Sequence, residues 1–215
     1  MDSEMESALR AAQAPLWERQ NWLRKATLES VLEVNEQVLA LLRAQCTAGV
    51  APPLLLREVG ALLLTLDGKS LRRAASTVLL VDAGLADDRL WSDAIGGAVN
   101  DRQPLISMPF FTVDGAVAIM RLVMTQAWHL ARSEPAAARL LLGVSVPNLA
   151  VIGGCTLSRL IRLAETRSQW LRPRWETRPK IWCDLLRAAG EGERGALERM
   201  RVRGLQLLAA DARQG

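Results

Sequence analysis

The chain of 215 residues has no tyrosine, one histidine, two phenylalanines and three cysteines. Cys46, Cys155 and Cys183 are far apart, and none stands in a CxxC pair or at zinc-ligand spacing from His129. We therefore expect three reduced thiols, no metal and no other cofactor. One histidine and scattered serines offer no catalytic triad, and the Walker A, GxGxxG and HExxH motifs are missing. These absences predict that the protein is not an enzyme.

Clusters of strand-forming β-branched residues are also few, and leucine and alanine dominate a chain that is 50% hydrophobic. This composition predicts an all-α fold. No apolar run reaches the roughly 18 residues of a membrane span, because Arg, Asp or Glu interrupts each one. The acidic start, MDSEMES, is unlike a secretory signal. We expect a cytoplasmic protein that has no contact with a membrane.

The net charge of +4 is distributed unevenly. From Thr156 to the C-terminus there are 13 Arg and Lys against 7 Asp and Glu, whereas the first 155 residues hold 14 against 16. Arginine accounts for nearly all of this positive charge, and its guanidinium fork suits phosphate contacts. The last third is thus either a phosphate-binding region or a solvated arginine-rich surface.

Apolar residues at helical spacing, interrupted by Gly and Pro, predict a series of helices. The expected helices cover residues 16–45, 54–66, 71–83 (capped by Ser70), 116–131, 135–142, a stretch beginning at Pro179, and 196–210. Residues 170–175 should be irregular or extended, because Pro173 restricts the residue before it.

One stretch has the layout of a helix-turn-helix unit. It consists of a short helix over residues 146–152, a break at Gly153 and Gly154, and a second helix capped by Thr156. The apolar residues of the second helix should point inward, and they are Leu157, Leu160, Ile161 and Leu163. The same layout also occurs in ordinary αα-hairpins of helical domains.

The region 116–186 contains a series of short motifs: the run 135–143 (PAAARLLLG), Asn148-Leu149-Ala150, Thr156-Leu157, Leu163-Ala164-Glu165-Thr166, and Arg172-x-Arg174. Through the order and spacing of these residues, the region resembles the FlhD family, the all-helical subunit of the flagellar transcriptional activator. The first half resembles the start of FlhD through Glu33-Val34-Asn35 and Leu39-x-Leu41-Leu42.

The two halves also resemble each other at an offset of 86 positions. The run 66–73 falls on 152–159, and Val34, Val38 and Leu42 fall on Met120, Met124 and Trp128. We therefore predict two FlhD-like helical units in tandem, each with a helix-turn-helix-like hairpin. Residues 1–95 form a degenerate N-terminal unit, 96–115 a linker, and 116–215 a C-terminal unit with a basic tail. FlhD proteins are homodimers, so a tandem should be a monomer built as an internal pseudo-dimer.

The resemblance implies a transcriptional regulator subunit that acts with a zinc-bearing FlhC-like partner on promoter DNA. The operons would serve flagella or a related secretion or conjugation system. The residues expected to contact DNA are Ser158, Arg159, Arg162, Arg172, Arg174 and Arg178; alternatively, Arg159 and Arg162 pair with Glu165 on their own helix. The residues expected to contact the partner are Phe110, Phe111, Trp170 and Trp175, although the phenylalanines could instead tuck into a domain interface. The alternative function is a non-enzymatic helical adaptor of a type III secretion or flagellar export apparatus.

Overall fold

The fold is taken from a computed structural model, which describes residues 24–48, 52–88, 91–92 and 109–211. Only four of these residues lie in strands, so the prediction of an all-α fold is confirmed. The described helices are α1 (Lys25–Thr47), α2 (Leu54–Thr65), α3 (Gly68–Ala75), α4 (Val113–Ser133), α5 (Pro135–Leu142), α6 (Val146–Gly154), α7 (Leu157–Thr166), α8 (Pro179–Glu191) and α9 (Arg194–Asp211). A 3-10 turn covers Ser168–Trp170, and the strands are β1 (Val81–Asp82) and β2 (Arg172–Pro173).

The two longest helices, α1 and α4, pack against each other at the centre. Each carries an apolar stripe at three- and four-residue spacing, which in α1 includes Val31, Val34 and Val38, and in α4 includes Met120 and Val123. The other sides of α1 contact α2 and α3, while α4 contacts α5, α6 and α7. The long helices therefore form the support on which the shorter helices lie.

The C-terminal helices return to the N-terminal half of the chain. Helix α8 packs on α2 and α3, and α9 packs on α8 and α5. The strands β1 and β2 pair antiparallel, with Val81 opposite Pro173. One hydrophobic core thus contains side chains from both expected units. The division at residues 95 and 116 does not separate two cores.

The helix expected over residues 71–83 is wrong in its second half, because α3 ends at Ala75. The buried side chain of Asn35 replaces the helical hydrogen bonds beyond that point. Its Nδ2 donates to the carbonyl oxygens of Ala75 (2.9 Å) and Val78 (3.0 Å), and its Oδ1 accepts from the Leu80 N–H (2.8 Å). The expected cap is also wrong: Asp67 caps α3 by accepting a bond from the Ser70 N–H.

The expected linker has a structured end. Residues 96–108 lie outside the described part, as do the expected helical residues 16–23. Phe110 and Phe111 are buried in the core, and α4 begins at Val113 rather than at residue 116. The linker therefore ends before Phe110, because the Phe110 and Phe111 rings belong to the core.

Candidate nucleic-acid interface

The hairpin formed by α6 and α7 is tighter than the sequence indicates. Gly153 and Gly154 are the last residues of α6 and not a break, so the connection consists only of Cys155 and Thr156. Ser145 caps α6 by accepting a bond from the Asn148 N–H. The expected cap of α7 is confirmed, since Thr156 Oγ1 accepts from the backbone N–H of Arg159 at 3.4 Å.

Helix α7 buries few of its side chains. Leu160 and Ala164 are fully buried, and Leu163 is half-buried against the core. Leu157 was expected to point inward, but it is 40% exposed. The solvent-facing side of the helix is therefore larger than predicted.

The three α7 residues expected to contact DNA lie on this outer side. Ser158 and Arg162 are exposed, and Arg159 is half-buried. Glu165 is engaged by Arg121 of α4 through a salt bridge of 2.5 Å. The exposed face of α7 thus presents a hydroxyl and arginines, while its one carboxylate is partly neutralised from another helix.

Trp128 of α4 makes a hydrogen bond to the α6–α7 connection, although the sequence did not indicate it as a functional residue. The indole N–H of Trp128 donates to the carbonyl oxygen of Cys155 at 2.9 Å, at the turn between α6 and α7. The guanidinium of Arg132 lies 4.8 Å from the Trp128 ring centroid, and its Cγ would lie 3.6 Å from a Cβ placed on Gly153. The four-residue spacing of Trp128 and Arg132 on one helix was the available signal.

The three arginines after α7 that were expected to contact DNA differ in how much of each side chain is exposed. Arg178 is exposed, and Arg172 is half-buried with its Nε at 2.6 Å from Glu176 Oε1. Arg174 is only 8% exposed, and its guanidinium donates to the carbonyl oxygens of Leu79 (3.0 Å) and Leu142 (2.5 Å). The phosphate role expected for Arg174 does not fit this position, because its donors are used inside the protein. Desolvation lowers the pKa of Arg174, and this effect is partly opposed by nearby Asp82 and Asp211.

The aromatic residues expected to bind a partner are largely internal. Phe110 and Phe111 contact each other edge to face at 5.0 Å within the core, and only 5% and 4% of their surfaces are exposed. Trp170 and Trp175 are half-buried, and each has an indole N–H that is buried without a hydrogen-bond partner in the described part. Trp175 also adopts a positive φ of 55°, which is unusual for an aromatic residue.

The charge around the hairpin is strongly positive. From Gly115 to Trp175 the chain contains eight arginines and only two acidic residues, Glu134 and Glu165. Glu134 faces Arg24 at 3.6 Å and accepts a hydrogen bond from Thr27, while Glu165 is held by Arg121. Both carboxylates are therefore engaged, and arginines outnumber acidic residues along this stretch, which Asp114 and Glu176 flank.

All three cysteines are free, and the described residues contain no group of three or more His, Cys, Asp or Glu side chains that could hold a metal ion. Burial raises the pKa of the Cys155 thiol, and nearby Arg159 partly opposes that rise.

Within the described ranges, no single helix is long and apolar enough to cross a membrane. Helices α5 and α6 satisfy the length and composition test only as a pair, bent by 117°.

Comparisons of the chain with protein-family models, with curated proteins and with solved structures find no significant match.

Proposed function

We propose that the protein is a DNA-associated transcriptional regulator subunit that acts with an FlhC-like partner. The observation that carries the proposal is the outer face of α7, where Ser158 and Arg162 are exposed and the one carboxylate of the hairpin, Glu165, is paired with Arg121 of α4. A helix that offers arginine and serine can contact both phosphates and base edges in the major groove. We further propose that the α6–α7 hairpin is the helix-turn-helix element.

The order of the elements supports a tandem origin. Shifted by 86 positions, α1 falls on residues 111–133, and α4 covers Val113–Ser133. Each unit continues with short helices and then a two-residue strand, although α5 has no counterpart among the described residues of the first unit. The corresponding long helices also meet each other, since α1 packs on α4. The strands β1 and β2 pair as well, although β1 shifted by 86 positions falls on residues 167–168 and not on β2. Contact between the corresponding long helices is expected when one chain replaces a homodimer.

The direct test is a fluorescence-anisotropy titration of the full chain with a labelled 30-bp duplex, with and without a purified FlhC-like protein. Alone, the chain should bind weakly, without sequence preference and with a steep dependence on salt. The partner should add preference for one promoter. Sedimentation at micromolar concentration should give mainly monomer when no partner is present.

A charge-reversal pair makes this test specific. Arg162→Glu should lower the affinity for every duplex. Arg187→Glu is the matched control, because Arg187 is an exposed arginine on α8, which packs on α2 and α3 and not on α7. An equal loss in both variants, or no binding at low salt with and without the partner, would contradict the proposal.

One observation favours the adaptor alternative. A cleft of about 630 Å³ lies between the start of α2 and the start of α4, with Leu55, Phe110 and Phe111 in its lining. Leu54, which also lines this cleft, is 52% exposed. An apolar cleft of this kind can receive a side chain of another protein. An export-apparatus protein that binds wild type but not Leu54→Glu, together with absence of DNA binding, would favour the adaptor.

A further inference from the structure

Two arginines of the hairpin region lie over tryptophan rings. Arg132 of α4 is 4.8 Å from the Trp128 ring centroid, and Arg167, the residue that ends α7, is 4.9 Å from the Trp170 ring centroid. A guanidinium over an indole face is attracted by the ring quadrupole, which restricts its motion while leaving its N–H groups at the edge unoccupied.

These two side chains differ from the arginines around them in what they bind. Arg121 and Arg172 are paired with carboxylates, and Arg174 is bonded to internal carbonyl oxygens. Among the described residues, the guanidinium groups of Arg132 and Arg167 make no hydrogen bond or ion pair, and each lies over a tryptophan ring. Their donors are therefore held in place and remain available to a ligand.

The two stacked arginines lie at opposite ends of α7. Trp128 bonds to the Cys155 carbonyl just before α7 begins, and Arg132 lies beside Gly153. At the other end, Arg167 follows Thr166, and Trp170 closes the 3-10 turn that packs against α4. Helix α7 has ten residues, which corresponds to about 15 Å of length. That length is comparable to the major groove, which is about 12 Å wide.

We propose that Arg132 and Arg167 form a pair of phosphate clamps that hold α7 in the major groove of DNA. The inference rests on the proposed function, and it assigns a phosphate contact to each end of the helix. Each guanidinium donates to the oxygens of a backbone phosphate, while Ser158 and Arg162 between them face the base edges. Trp128 and Trp170 are positioning residues, because they restrict the guanidinium groups before DNA arrives.

The test measures how the affinity for a fluorescein-labelled 30-bp random-sequence duplex depends on salt, with the full-length protein. Neutralising one phosphate contributes about 0.9 to the slope of log affinity against log salt. Arg132→Ala and Arg167→Ala should each reduce the slope by about 0.9, and the double variant by about 1.8. Arg187→Ala, the matched control on α8, should keep the wild-type slope. Circular dichroism should show unchanged helix content in all four, since the replaced guanidinium groups bond to no other part of the described protein.

The lysine variants separate a stacked clamp from a simple charge. Arg132→Lys and Arg167→Lys keep the charge, so the slope should stay at the wild-type value. The affinity should still fall by about two- to fivefold, because an ammonium group stacks less well and lacks the bidentate fork.

The possible failures are distinguishable. If the wild type binds DNA and the alanine variants keep its slope, the clamps are wrong and the proposed function stands. Lysine variants that bind as tightly as the wild type would overturn the role of the tryptophans. A wild type that binds no duplex at low salt, with or without an FlhC-like protein, overturns both the clamps and the proposed function.

Discussion

Replacement of Asn35 by alanine should destabilise the protein more than an alanine substitution at any other uncharged polar residue in the structure. Asn35 is fully buried, and its side-chain amide makes hydrogen bonds to the backbone at the end of α3 and just beyond it. Its two Nδ2 hydrogens go to the carbonyl oxygens of Ala75 and Val78, and its Oδ1 accepts from the Leu80 N–H. Alanine leaves two carbonyl groups and one N–H group buried without these partners.

The expected magnitude follows from these three groups. A buried polar group that loses its partner costs about 1–3 kcal/mol, and the three together suggest a loss of about 3–5 kcal/mol in the free energy of unfolding. That is a large part of the roughly 5–15 kcal/mol by which a domain is usually stable. For a chain of this size, each kcal/mol lowers Tm by about 2–4 °C, so Tm should fall by about 6–20 °C.

Urea unfolding followed by circular dichroism at 222 nm measures the effect, provided that the m-value stays constant. Asn148→Ala is the matched control, because Asn148 is also buried but its amide makes one hydrogen bond, from Nδ2 to the Leu85 carbonyl oxygen at 3.0 Å. It should lose about 1–2 kcal/mol. A loss below about 1 kcal/mol for Asn35→Ala, or equal losses in the two variants, would refute the reasoning.

Three further predictions concern charge and thiol chemistry. Hydrogen bonds from Ser70 lower the pKa of Asp67 in the folded protein. The ionised Asp67 carboxylate therefore stabilises the fold fully above the ordinary aspartate pKa, and this stabilisation is lost as the pH falls through the lowered pKa of the folded state. The Tm advantage of wild type over Asp67→Ala should therefore disappear only in strong acid, and an advantage that is constant down to pH 2 would contradict this. Burial raises the pKa of the Cys46 and Cys155 thiols. The pH midpoint of their alkylation by iodoacetamide, measured by peptide mass spectrometry, should therefore be higher in the folded chain than in the urea-unfolded chain. Equal midpoints in the two states would contradict this prediction. Arg174→Lys should lower the free energy of unfolding by about 1–3 kcal/mol, because lysine lacks the fork that reaches two carbonyl groups, and an unchanged urea midpoint would contradict that role.

The sequence predicted the helices well where the signals are local. Pro135 begins α5 and Gly143 ends it with a positive φ of 70°, so the predicted range 135–142 agrees with the structure. Thr156 caps α7 as expected, since a threonine before an apolar stripe is a signal contained within a few residues. The outward position of Ser158 and Arg162 follows from the same helical spacing.

The errors occur where distant residues decide the outcome. The run Ser76-Thr77-Val78 after α3 is only a weak stop signal, and the hydrogen bonds that replace the helix come from the distant Asn35. Gly153 and Gly154 continue α6 although glycine is a poorer helix former than alanine by about 1 kcal/mol, and Gly154 is exposed. The contact between Trp128 and Cys155 was likewise invisible, because it joins two helices.

By itself, the sequence determined that the protein is helical, where most of its helices begin, and that positive charge concentrates in its last third. Helical spacing, caps and composition act over a few residues, so they can be read along the chain. Only the tertiary structure decided which arginines face solvent. Arg174 and Arg162 look equally suited to phosphate in the sequence, but the fold brings the carbonyl oxygens of Leu79 and Leu142 to Arg174 and leaves Arg162 exposed. The physical reason is that the fate of a charged side chain depends on the partners that surround it, and here those partners lie 32 and 95 residues away along the chain.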